Sequence, residues 1–137
     1  MKLAPPFVIE RIDHVLLLVD GMDRALEFYE GTLGCIVEHR IDRFAMAELQ
    51  AGSSHIDLVD TGAPEGRWAM PKAGGGRNVD HVCLSVGRCD KEAVRVHLTA
   101  RGAEIAEERS DEYDGRTTHS FYVRDPSGNT IELLMFV

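Results

Sequence analysis

Ile12-Asp13-His14-Val15-Leu16-Leu17-Leu18-Val19 returns as Val79-Asp80-His81-Val82-Cys83-Leu84-Ser85-Val86, 67 positions later. The far end of each copy matches too: Ile56-Asp57-Leu58 returns as Ile131-Glu132-Leu133, at an offset of 75. The chain is a duplicated unit. Folded back on itself about a pseudo-twofold axis, such a unit brings matching positions face to face. Here those positions are two histidines, His14 and His81, and two carboxylates, Asp57 and Glu132.

Each copy reads in the order β-α-β-β-β. Residues 12–19 are a short apolar run, as expected of a buried strand. Asp20 and Asp23 open a helix on which Met22, Leu26, Tyr29 and Leu33 share one face, and Gly34 ends it. Strands are predicted near residues 35–42, 44–50 and 54–60. In the second copy a strand at 79–86 leads to a segment from Asp90 to Arg101. Val94, Val96, Leu98 and Ala100 alternate there as in a strand, but the acidic start, the stop at Gly102 and the register with the first copy favour a helix. Strands near 104–109, 117–124 and 129–136 follow, the last two joined by the turn Asp125-Pro126-Ser127-Gly128-Asn129. The extra residues of the second copy fall around Ser110 to Arg116, which reads as a polar loop. This predicts an α+β fold: two βαβββ modules forming a cupped, mostly antiparallel eight-stranded sheet with helices on the outer face.

At 137 residues the chain is of single-domain size. Module one spans 11–60, a linker 61–78 and module two 79–137. The linker is rich in Gly, Pro and Ala. Gly74-Gly75-Gly76 reads as a hinge and not a phosphate cradle, since no helix follows it. Trp68, the single tryptophan, has three open roles there: closing a pocket, packing on a partner, or covering a sheet edge. No apolar run approaches the roughly 18 residues that span a bilayer, and the start lacks a signal-peptide core. The net charge of −8 excludes the basic stripe that nucleic-acid binding needs. Cys35, Cys83 and Cys89 show no CxxC spacing and read as free thiols of a cytoplasmic protein. Cys83 faces the same side of its strand as His81, and is expected to be a small buried apolar side chain.

Side chains alternate across a strand. Val15, Leu17 and Val19, with Val82, Leu84 and Val86, therefore belong under the helices. His14, His81, Asp57 and Glu132 point the other way. A lone strand histidine is commonly a hydrogen-bonded rim residue, but four ligand-type residues at matched positions fit a mononuclear site better. An ionised carboxylate in a cleft must be paired, hydrogen-bonded or metal-bound. Two imidazoles and two carboxylates suit one divalent ion: Zn, Ni, Co, Mn or Fe(II).

With these residues in hand, the chain resembles the vicinal oxygen chelate superfamily of glyoxalases, bleomycin resistance proteins and extradiol dioxygenases. The carriers are Ile12-Asp13-His14-Val15, the Arg24-Ala25-Leu26-Glu27-Phe28-Tyr29 helix leading to Leu33-Gly34, Val79-Asp80-His81-Val82, and Asp125 through Leu133. The resemblance covers residues 11–137 and implies a homodimer acting on a small molecule. It implies metal ligands at His14, Asp57, His81 and Glu132, with Asp57 one methylene shorter than the glutamate of glyoxalase I. It further implies a lyase or isomerase working through a metal-stabilised enediolate or enolate, with Glu132 as the base. Arg67, Lys72 and Arg77 are basic, but mark no glutathione site. An alternative within the resemblance is an extradiol dioxygenase with Fe(II) on His14, His81 and Glu132. There Gly115-Arg116 and Ser120-Phe121-Tyr122 match that branch, Tyr122 binds substrate and His55 is catalytic. A third is a metal-free drug-sequestering protein of the bleomycin resistance type.

Overall fold

The computed structural model describes residues 10–70, 79–113 and 115–137. The Gly74–Gly76 hinge, Lys72 and Arg77 lie outside the described residues. The strands are β1 (His14–Val19), β2 (Ile36–Ile41), β3 (Met46–Ala51), β4 (Ser54–Asp60), β5 (Val82–Val86), β6 (Glu104–Tyr113), β7 (Arg116–Arg124) and β8 (Thr130–Phe136). They form two four-stranded mixed sheets, ordered β1-β4-β3-β2 and β5-β8-β7-β6. In each sheet the first strand of its module lies parallel to the last, and the other neighbours are antiparallel. The fold is α+β, two βαβββ modules, and among the described residues no helix is long and apolar enough to cross a membrane.

The helix of module one departs from the even spacing read in the sequence. Only Met22–Leu26 (α1) is α-helical, and Glu27–Thr32 continues as a π-helix. The Leu33 amide accordingly reaches back five residues to the Phe28 carbonyl, at 2.9 Å. The wider winding turns Phe28 and Tyr29 inward together, edge to face at 4.9 Å. Gly34 then leaves the helix with φ +80°, which glycine adopts without steric cost. The N-terminus of α1 is capped from another element: the Asp60 carboxylate accepts from the Gly21 and Met22 amides at 2.9 and 3.0 Å. Burial works against that charge, but the amide donors outweigh it and hold the Asp60 pKa below its ordinary value. Close by, residues Pro64–Ala69 form a 3₁₀ turn. A β-carbon at Gly66 would sit 1.8 Å from the Asp60 carbonyl oxygen, so only glycine fits.

In module two the ambiguous segment is helical, α2 (Lys91–Ala100), capped by the Asp90 side chain on the Glu92 amide. Leu98 is buried and Val96 exposed, which a strand's alternation would not give. The polar loop expected over residues 110–116 is instead paired strand. β6 and β7 run on to the Tyr113–Arg116 pair, and Gly115 makes the turn at φ +72°. Polar partners carry the extension: Thr117 donates to Glu112 at 2.9 Å, and Ser110 Oγ meets His119 Nδ1 at 2.9 Å. Such cross-strand pairs stabilise an exposed ribbon without an apolar alternation. Below them Glu108 is held by Arg95 of α2 and by His119 Nε2, the latter at 3.0 Å. Mainly through Arg95, its pKa falls to about 2.

One apolar core joins the modules, with Leu17, Val19, Met22 and Tyr29 from the first and Leu98, Phe121, Ile131 and Met135 from the second. A polar seam runs beside it. The Tyr29 hydroxyl donates to Asp125 Oδ2 at 2.8 Å, and the same buried carboxylate accepts from the Ser127 amide and from the amide and side chain of Asn129. Asn129 also donates to the Leu18 carbonyl at 2.9 Å, and the Asp20 amide to Ser127 Oγ at 2.8 Å. Burial, then the Asp125 charge, raise the Tyr29 pKa, so it stays a donor.

Two outcomes follow. Tyr29→Phe removes one bond of a carboxylate that keeps its other donors, and urea unfolding should register a loss of about 1–2 kcal/mol. For Glu108 the folded pKa lies below the unfolded one. Its stabilisation is therefore complete above the ordinary glutamate range and is lost as pH falls toward about 2. Glu108→Gln should flatten the acid limb of the stability profile, and a profile parallel to wild type would contradict the linkage.

Candidate metal centre

His14 opens β1, and Asp57 stands in the middle of β4, opposite Leu16 in the parallel register. Both project on the sheet face away from the core. His14 Nε2 lies 3.6 Å from Asp57 Oδ2. Module two repeats this with His81, just ahead of β5, and Glu132 in β8, whose Oε1 lies 3.0 Å from His81 Nε2. Each histidine carries a second carboxylate from the residue before it. His14 Nδ1 and Asp13 are 2.8 Å apart, as are His81 Nδ1 and Asp80. A carboxylate on Nδ1 selects the tautomer whose proton sits there, and leaves the Nε2 lone pair to bind outward. The Asp13 bond chiefly, then the Asp57 charge, raise the His14 pKa.

The two carboxylates differ. The Ser120 hydroxyl donates to Glu132 Oε2 at 2.7 Å, while Oε1 lies 3.0 Å from the His81 Nε2 lone pair. Asp57 is only 6% exposed, and among the described residues its one polar contact is the 3.6 Å approach of His14. Burial, and beyond it the Glu48 charge opposite, raise its pKa, against the favourable pull of His14. Among the described residues no buried polar side-chain atom lacks a partner, so the Asp57 oxygens still open on the cleft, where a largely desolvated carboxylate without a hydrogen bond can take a cation. The histidine–carboxylate separations match the ~3–3.5 Å between neighbouring ligand atoms that each sit ~2.0–2.2 Å from one ion. The donor set therefore fits a divalent metal.

The four residues come together two by two. Among the described residues no three His, Cys, Asp or Glu of one chain are grouped to hold a metal ion. His55 belongs with the first pair: it faces His14 in the register and lies 3.3 Å from Glu38. Tyr122 belongs with the second, edge to face with His81 at 5.5 Å between ring centroids. Burial first, then the Glu132 charge, raise its pKa. Cys83 corrects the expectation of a buried apolar side chain: it is exposed on this open face. Its thiol lines a cavity with Glu132, and local desolvation, then that carboxylate, push its pKa up to about 11. It faces outward because odd and even residues of β5 divide between cavity and core. Trp68 covers the β2–β3 turn, its Nε1 donating to the Phe44 carbonyl at 3.1 Å.

Sequence reasoning passed over Asp13, Asp80 and Ser120 as functional residues. The first two had a signal, since the Asp-His pair is itself duplicated. Ser120 had none, because its role arises from the pairing of β7 with β8.

The sequence profile described as the Glyoxalase/Bleomycin resistance protein/Dioxygenase superfamily matches residues 11–133, and the chain belongs to that superfamily. A virulence protein from Salmonella typhimurium is 26% identical, with a TM-score of 0.68 over 96% of this chain and 100% of that one. A fosfomycin resistance protein from Mesorhizobium loti shares the fold at 15% identity, with a TM-score of 0.67 over 93% of each chain. A lactoylglutathione lyase from Agrobacterium tumefaciens does so at 19% identity, with a TM-score of 0.63 over 93% and 94%.

The raised Asp57 pKa means that its ionised form opposes folding above the ordinary aspartate range. In metal-free protein, Asp57→Asn should therefore be the more stable form at neutral pH and lose that advantage in acid. Denaturation of both proteins between roughly pH 3 and 8 checks the sign.

Proposed function

We propose that the protein is a divalent-metal-dependent lyase or isomerase of glyoxalase type, acting on a small oxygenated substrate. The observation that carries this is the Asp57 carboxylate, largely withdrawn from solvent yet open to the cleft, without a hydrogen bond and facing His14, matched by His81 and Glu132 in the second copy. His14, Asp57, His81 and Glu132 would hold the ion. When bound, Zn, Ni, Co or Mn supplies Lewis acidity to two neighbouring oxygens, which lowers the cost of an enediolate or enolate. Glu132 is the base. Ser120 holds its Oε2 in place, and the carboxylate takes a proton from the carbon next to a carbonyl and returns it to the adjacent carbon. Tyr122 keeps its proton and can steady a substrate oxygen beside His81.

The two pairs would meet across a homodimer, the first pair of one chain with the second pair of its partner. β1 and β5, which follow the histidines or contain them, are edge strands with unpaired backbone. Two residues before each histidine stands an exposed aliphatic side chain, Ile12 at 76% and Val79 at 60%. A second copy would cover both. The three free thiols fit a cytoplasmic location.

The contact of Tyr122 with His81 favours a second reading, ring cleavage by Fe(II) on His14, His81 and Glu132, with His55 as a further catalytic group. Metal content separates the two: stoichiometric Zn, Ni, Co or Mn supports the first, and Fe(II) with oxygen uptake on catechols the second. A metal-free protein whose ligand binding survives His81→Ala would leave drug sequestration. Subunit mixing tests the shared centre. Neither His14→Ala nor His81→Ala chains should bind metal alone, but an equal mixture, refolded together, should recover about a quarter of wild-type capacity, because one centre of each mixed dimer is intact. No recovery would place all four ligands in one chain.

A further inference from the structure

The sheet face that carries His81 and Glu132 holds two small cavities. One, about 320 Å³, is lined by Cys83, Ser120 and Glu132 among others. Its neighbour, about 250 Å³, is lined by His81, Arg124 and Thr130 among others. Arg109 and Tyr122 form the wall between them and line both. Arg109 projects from β6 directly across from Ser120, the residue that holds Glu132. Among the described residues, Arg109 and Arg124 are the only arginine or lysine side chains lining either cavity.

Both guanidiniums retain free donors. Each has five N–H groups. Arg109 commits Nη2 to Asp111 Oδ2 at 2.7 Å. Arg124 makes a long bond from Nη1 to Thr130 Oγ1 at 3.4 Å, and its Nε stands 3.6 Å from Glu104. The cavities also carry the acids Asp80, Glu107, Asp111, Glu112 and Glu132. Among the described lining residues the two guanidiniums are therefore the fixed positive charges that can draw an anion, and their planar forks match an oxyanion's two oxygens.

We propose that Arg109 and Arg124 form an oxyanion subsite beside His81, so that the substrate carries a carboxylate or phosphonate head. This rests on the reaction proposed above. The head, anchored at β6 and β7, sets the adjoining carbon–oxygen unit over His81 and Glu132. Asp111 is a built-in competitor for Arg109, which gives the subsite a test of opposite sign.

Calorimetric titration of the dimer, with and without chelator, uses phenylphosphonate, benzoate and the neutral benzamide as probes. The oxyanions should bind saturably and more tightly than benzamide, and the tighter of the two identifies the head. Arg109→Gln and Arg124→Gln should each weaken them by about tenfold or more, with benzamide unaffected. Asp111→Asn should strengthen them. Unchanged affinity in both arginine variants, or benzamide binding as well as benzoate, overturns the subsite. Metal content is measured on the same samples: no stoichiometric metal in wild type counts against the reaction, while the titrations still judge the subsite.

Discussion

The buried carboxylate of Asp125 is the constraint on which the arrangement of the two modules depends. It sits in the turn between β7 and β8, and four donors converge on its two oxygens. Three of them shape its own turn. The fourth, the Tyr29 hydroxyl, comes from the helix of the other module. A buried charge of this kind tolerates no loose geometry, because a carboxylate left short of donors in a low-dielectric interior costs several kcal/mol. The apolar core alone would let one module slide on the other. The carboxylate, with Asn129 on the Leu18 carbonyl and Ser127 on the Asp20 amide, fixes the angle.

Polarity is divided between the two faces of each sheet. Val, Leu and Ile point inward along β1, β4, β5 and β8, and the intervening positions carry His14, His55, Asp57, Cys83, Ser85 and Glu132 alongside some apolar residues. Each face holds one histidine and one acid. The pairs are not equivalent. Glu132 is held by the Ser120 hydroxyl, which restricts its swing. Asp57 is partly desolvated and makes no hydrogen bond, which leaves its oxygens open to a cation.

How much of this could be read from residues alone depends on the range of the interactions. The duplication placed seven of the eight strands within a few residues, since alternation and its register are local. It also settled α2, whose own pattern was ambiguous, because the sister helix occupies the matching interval. Three features escaped. The π-winding after Leu26 leaves no mark in an apolar spacing that fits an ordinary helix. The extension of β6 and β7 is held by Ser, Thr, His and Glu pairs, whose composition is that of a loop. Cys83 was misjudged because burial on an open face depends on what covers it. The four candidate ligands were identifiable by type and position, but their separation into pairs is set by the seam at Asp125, a contact 96 residues apart.

In both modules the strand nearest the histidine is made first by the ribosome and finds its place last. β1 has no neighbour but β4, and β5 none but β8, so each must wait for a helix and two further strands to emerge and pair. Closing that long loop is the entropically expensive event of the module, and a contact of such sequence separation forms late. The two histidine–carboxylate pairs thus form at the end of folding. A nascent or partly unfolded chain keeps its imidazoles apart from its acids until the architecture is complete.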